Sequence, residues 1–193
     1  METTEKQINE SEGLEIIQKM INTVKADIDD NSFYNILWGW LVFVASLGHY
    51  FFVMAGYEHP YIMWLLMPVG GVVTAIYASK HERNKKVRTY LDDLMKYVLI
   101  AFLVSLVMVL ISMSKLQLNT YPMVMMVYGS WLFISGGTIR FKPLLVGGII
   151  NWILGYIAFF VSFDLQLLLL ALAVLLGYII PGYLFKKKYS KHV

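Results

Sequence analysis

The chain has 193 residues, 58% of them hydrophobic and 15% charged, with a net charge of +3 and no cysteine. A mean hydropathy of +0.61 is too high for a soluble domain of this length. The lack of cysteine excludes disulfides, thiolate metal sites and cysteine nucleophiles, and six spans of roughly 20 residues leave no room for a second folded domain.

The first thirty or so residues are acidic and amphipathic, so no cleavable signal peptide is expected and the first span should act as the insertion signal. Leu14, Ile17, Ile21, Val24 and Ile28 follow three-four spacing, a heptad seam with Glu15, Lys19, Lys25 and Asp27 off it. Short helices are marginal alone, so the stripe must pack on something. Interfacial helices carry Lys and Arg on their polar face, whereas this arm begins with Glu2, Glu5, Glu10, Glu12 and Glu15. Anionic lipid would repel that end, so the seam suits a protein partner or a second copy of the chain better than a lipid surface.

Span one is expected from about Phe33 to Ala55, behind the N-cap cluster Asp29-Asp30-Asn31-Ser32. The turn Gly56-Tyr57-Glu58-His59-Pro60 leads into span two, Tyr61 to Ser79, and the basic segment Lys80 to Arg88 follows. Span three covers Leu94 to Ser114, and a loop from Lys115 to Thr120 precedes span four, Tyr121 to Ile139. Arg140-Phe141-Lys142-Pro143 turns the chain, with Pro143 suited to the first turn of span five, which ends near Phe163. Asp164 marks the next turn, and span six ends in Lys186-Lys187-Lys188. The runs are continuous rather than alternating, which excludes a β-barrel, the other way to cross a bilayer.

Of the sixteen Lys and Arg residues, only Lys115 falls on the joints after spans one, three and five. Cytoplasmic loops are enriched in Lys and Arg, so the pattern predicts both termini in the cytoplasm. The expected fold is an all-α integral membrane protein of six transmembrane helices in three hairpins, preceded by a short cytoplasmic amphipathic helix. Residues 1–32 form the arm, 33–185 the membrane domain and 186–193 a basic tail. A bacterial cytoplasmic membrane is the expected location. Anionic headgroups account for the basic residues, with Lys186, Lys187 and Lys188 contributing on the order of 1 kcal/mol each. Nucleic acid is not an expected partner.

Asn35, Gly39, Trp40, Leu41, Phe43 and Ser46 in span one align with Asn151, Gly155, Tyr156, Ile157, Phe159 and Ser162 in span five. Span three repeats the last part, from Phe102 to Ser105. The pattern fits three tandem hairpins, as in transporters with parallel repeats, or apolar helices that share Phe, Gly and Ser by chance.

Ionisable residues inside a membrane are costly and mark functional sites. Only His49 lies well inside a span, roughly 10 Å below its outer end at 1.5 Å per residue. Trp64, Pro68, Tyr128 and Tyr156 fall near the same depth, and Trp131, Asn151 and Trp152 lie deeper. Pro68 should kink span two and free the Trp64 carbonyl. Together these eight residues could form an outward-opening aromatic pocket for a small neutral ligand, with apolar walls and few placed polar groups; ordinary helix packing is the competing reading.

No Gly-x-Ser-x-Gly, His-Glu-x-x-His or phosphate-cradling loop occurs, and Asp92-Asp93 point in different directions on a helix. No cofactor, metal site or catalytic residue is expected, and an enzyme is not the favoured reading. In size and layout the six spans resemble the substrate-binding subunits of energy-coupling-factor vitamin transporters. That resemblance implies a ligand pocket near the outer face; where those subunits carry Ala-x-x-x-Ala in span one, this chain has Ala45 and His49. Two functions follow as expectations: small-molecule binding or transport, or a non-catalytic regulatory or assembly partner acting through the arm and the basic face.

Overall fold

A computed structural model describes the backbone of residues 10–81 and 90–190 and the side chains of residues 32–80 and 93–188. All regular structure among them is helical, with no strand. Among the described residues, four stretches are long and apolar enough to cross a membrane: Ser32–Met54, Pro60–Lys80, Asp93–Ile111 and Phe163–Lys188. The chain therefore has the make-up of an integral membrane protein.

Helix α1 runs unbroken from Glu10 to Met54, 45 residues. The capping cluster at 29–32 does not start a helix, because the chain is already helical there. An N-cap contributes only about 1 kcal/mol, whereas interrupting a helix forfeits backbone bonds and incurs nucleation again. Ser32 is buried, and its Oγ has no partner among the described residues, so it caps nothing. α1 ends at Gly56, whose φ of +66° allows Tyr57 N–H to reach the Phe52 carbonyl and Gly56 N–H the Val53 carbonyl.

A 3₁₀ turn, Pro60–Leu65, leads into α2, Leu66–His81. Pro68 lies in the first turn of α2, where amides have no intrahelical acceptor to lose. Leu66 N–H donates to the Met63 carbonyl, joining the 3₁₀ turn to α2. Helix α3, Tyr90–Ile111, is followed by the short α4, Met113–Leu116, and a 3₁₀ turn, Gln117–Asn119. Next come α5, Thr120–Thr138, and α6, Lys142–Ala158. Arg140 joins them at φ +53°, in the left-handed position glycine usually takes. There Phe141 N–H bonds the Gly136 carbonyl and Arg140 N–H the Gly137 carbonyl.

The last stretch is three pieces in series: α7, Phe163–Val174; a π turn, Leu175–Ile179; and α8, Ile180–Ser190. Pro181 accounts for the wide turn. It has no N–H for the Gly177 carbonyl four residues back and would clash with it in a regular helix, so the backbone opens.

The centre of the bundle is α5 against α6, with α1 packed along α7 and α8. Glycine sets the α5–α6 distance. A methyl on Gly136 would stand 2.5 Å from the Leu145 nitrogen, and one on Gly148 would stand 2.7 Å from the Phe133 nitrogen. Gly147 meets Gly177 of the π turn in the same way, at 2.7 Å. Only 6% of the apolar window is buried in each of α2 and α3, against 56% in the Phe163–Lys188 stretch. α2 packs on α1 and α3 on α5, so both lie at the rim.

Gly136→Ala and Gly148→Ala should each destabilise the protein by about 1–3 kcal/mol, because backbone atoms cannot yield as side chains can. Gly137→Ala meets nothing within 4 Å and should be neutral, or stabilising by up to about 1 kcal/mol from helix propensity. Thermal unfolding of the three variants in nanodiscs, followed by circular dichroism, checks the ranking.

Candidate functional site

His49 is 5% exposed despite lying less than two turns from the end of α1. Trp64 Nε1–H, from the 3₁₀ turn, donates to His49 Nδ1 at 2.8 Å. The Tyr121 hydroxyl, at the start of α5, lies 3.1 Å from the same nitrogen. Phe163, opening α7, places its ring 5.6 Å from the imidazole and 5.5 Å from Tyr121, and Trp64 stacks on Tyr121 at 5.7 Å. One histidine thus ties four segments together.

An indole N–H can only donate, so the bond at 2.8 Å requires a lone pair on Nδ1. The ring is therefore the neutral tautomer with its proton on Nε2. An imidazolium would set two donors against each other and break the contact.

Asn151 forms a second polar centre, fully buried on α6. Its Nδ2 donates to the Gly147 carbonyl at 2.9 Å and to the Ala173 carbonyl at 3.0 Å. Two carbonyl acceptors fix which end of the amide is nitrogen. The Ala173 carbonyl belongs to the last turn of α7, ahead of the π turn, so Asn151 ties α6 to the last stretch at that point. Asn151 Oδ1 has no partner among the described residues. Nearby, Ser46 Oγ donates to the Leu167 carbonyl at 2.6 Å and links α1 to α7. Gln166 Nε2 donates to the Ala158 carbonyl at 3.0 Å across the α6–α7 turn.

Of the eight residues expected to share one pocket, the structure brings only some together. His49 and Trp64 touch, while Pro68 is exposed on α2. Tyr128 and Trp131 pack around Phe102 of α3, at 6.0 and 5.2 Å between ring centres. Trp152 donates to the Met126 carbonyl and lies against Phe133. Tyr156 is 62% exposed and stacks edge-on with Phe160. It faces outward because Gly155, the residue before it, takes the α5-facing side of α6. The aligned repeat also parts here: Phe43 and Ser46 lie within α1, whereas Phe159 and Ser162 fall in the α6–α7 turn.

The arm residues Leu14, Ile17, Ile21, Val24 and Ile28 have a helical backbone, and their side chains lie outside the described residues. At the other end of the bundle, Lys186 and Lys187 are exposed, and Lys188 places its ammonium 5.7 Å from the Phe141 ring centre. No group of three His, Asp or Glu among the described residues is placed to hold a metal.

Sequence reasoning missed Tyr121 and Phe163, which complete the His49 cluster, and Phe102, which packs on Trp131. Tyr121 is 72 residues from His49, and the only signal was that both fall near the same end of their spans. Compared with known proteins, the chain matches no protein family, no curated protein and no solved structure. The likeness to vitamin-uptake subunits therefore stands on chain length and the expected number of spans alone.

Nitrogen-15 NMR of histidine-labelled protein at neutral pH should show His49 with an unprotonated Nδ1 and a protonated Nε2. Trp64→Phe combined with Tyr121→Phe should return His49 to a mixture of tautomers. A protonated Nδ1 in the unsubstituted protein would contradict the arrangement.

Proposed function

We propose that the chain crosses a bacterial cytoplasmic membrane six times, as three hairpins with both termini in the cytoplasm, and serves as a non-catalytic assembly or regulatory partner. The distribution of Lys and Arg supports that orientation. Chain neighbours α1 and α2, α3 and α5, and α6 and α7 pack together, which suits the hairpin order. In this reading α5 and α6 are spans four and five. They are 19 and 17 residues long, roughly 28 and 25 Å at 1.5 Å per residue, close to the hydrocarbon thickness of about 30 Å.

The observation that carries the functional reading is the continuity of α1. From Glu10 the helix enters the apolar stretch Ser32–Met54 without a break. Residues 10–31 then extend as a rod about 33 Å long on the cytoplasmic side, with a three-four apolar seam along it. An isolated helix of that length is marginal, and its seam is shaped for another helix. Arg140, Lys142 and Lys186–Lys188 lie at the same end of the bundle in this orientation and give it a basic face. The outer pocket has less support, because Trp64, Tyr121 and Phe163 close around His49 and Tyr156 faces away.

A photoreactive benzoylphenylalanine in place of Ile17 or Ile21, on the seam, should give protein adducts in native membranes, at twice the chain mass for a second copy or at another mass for a different partner. The same probe at Lys19, on the opposite side, should give several-fold fewer. Equal labelling at both positions, or none at either, would contradict the proposal.

A further inference from the structure

A half-open cavity of about 220 Å³ lies between α3 and α5, beside the apolar stretch Asp93–Ile111 of α3. Val98, Ala101, Phe102 and Ser105 form one wall, and Val127, Ser130, Trp131 and Ile134 form the other.

Its polar groups set it apart from an ordinary groove for lipid tails. Ser130 Oγ is occupied, donating back to the Met126 carbonyl at 3.0 Å, as serines in membrane helices commonly do. Ser105 Oγ makes no such bond, and Trp131 Nε1–H meets no acceptor among the described residues; both line the cavity. At this depth hydrocarbon supplies no acceptor, and an unsatisfied donor costs on the order of 1–3 kcal/mol. Two such donors bordering one space call for an occupant that accepts hydrogen bonds. Phe102 and Trp131, with ring centres 5.2 Å apart, offer aromatic surface beside them. The volume lies below the roughly 300–1,000 Å³ of drug-sized sites, which favours one ring system over a long chain.

We infer that this cavity is a binding site for a neutral, planar, carbonyl-bearing ring compound that enters from the bilayer, with Ser105 and Trp131 donating to the carbonyl and Phe102 supplying an apolar wall. The site is independent of the arm and of the assembly role, and rests on the reading that α5 lies in the membrane beside α3. No charged group lines the cavity, so a neutral ligand leaves no charge uncompensated.

Menadione (2-methyl-1,4-naphthoquinone) serves as probe and 2-methylnaphthalene as its carbonyl-free control. The chain has no cysteine for the quinone to alkylate. With full-length protein in nanodiscs, the Trp131 indole N–H resonance, assigned by its loss in Trp131→Phe, should shift saturably with menadione and hardly at all with the control. Ser105→Ala alters only an exposed side chain and should fold normally. Loss of one hydrogen bond should weaken menadione binding about five-fold. Equal shifts from both compounds would mean an apolar void open to any hydrophobe, lipid tails included, and would overturn the inference. So would an unshifted resonance, or Ser105→Ala binding as tightly as the unsubstituted protein.

Discussion

The structure depends on close backbone approach between α5, α6 and the π turn. Lipid tails are as apolar as leucine, so helices in a bilayer gain little by hiding side chains from lipid and are held by van der Waals contact and hydrogen bonds. Both strengthen when backbones come near. Gly129, Gly136, Gly147, Gly148 and Gly177 make that possible here, each facing another helix's backbone. The glycine contacts also explain a peculiarity of α5. Carrying Gly129, Ser130, Ser135, Gly136 and Gly137, it is less apolar than the rim helix α3. A helix enclosed by protein need not match lipid along its length.

Consequences follow in series from that centre. Pro181 widens the helix before it, Gly177 lets the widened turn sit against Gly147, and Asn151 bonds the Ala173 carbonyl alongside. The wide turn sets the direction of α8, which brings Phe185 to 5.0 Å from Phe141 and Lys188 over the Phe141 ring. Phe141 is itself the residue that closes the α5 terminus on the Gly136 carbonyl. One end of the bundle is thus locked by a proline and an amide acting at a distance. The other end is locked directly, by His49 receiving Trp64 with the Tyr121 hydroxyl beside them.

Much of the helical layout was legible because long apolar runs and the turns between them are local properties of a sequence. Pro143 opens α6 as expected, and the ends of α2, α3 and α5 fall within a few residues of their predicted places. The capping residues before Phe33 predict a helix start there, which the helix already running through them overrides. The proposed pocket rested on depth counting. Depth gives the level of a residue along the bilayer normal but not which way its side chain points around the helix. Trp64 and His49 share a level and a face. Tyr156 shares the level only, because Gly155 occupies the side of α6 that faces α5. Tyr121, Phe163 and Phe102 were invisible for a related reason: which helices neighbour one another is a property of the whole bundle.

The central claim is that α5 and α6, though short and rich in small residues, form a membrane-crossing pair held by glycine. The side of the membrane on which Arg140 lies decides it. In this cysteine-free chain a single cysteine at Arg140 can be probed in intact cells with an impermeant maleimide, beside reference cysteines at Lys115 and Asp164. Two crossings place Arg140 in the cytoplasm, so it should be protected until the cells are opened, while both references label from outside. If Arg140 labels from outside together with Lys115 and Asp164, then α5 and α6 do not cross, only the four long apolar helices do, and the account is wrong.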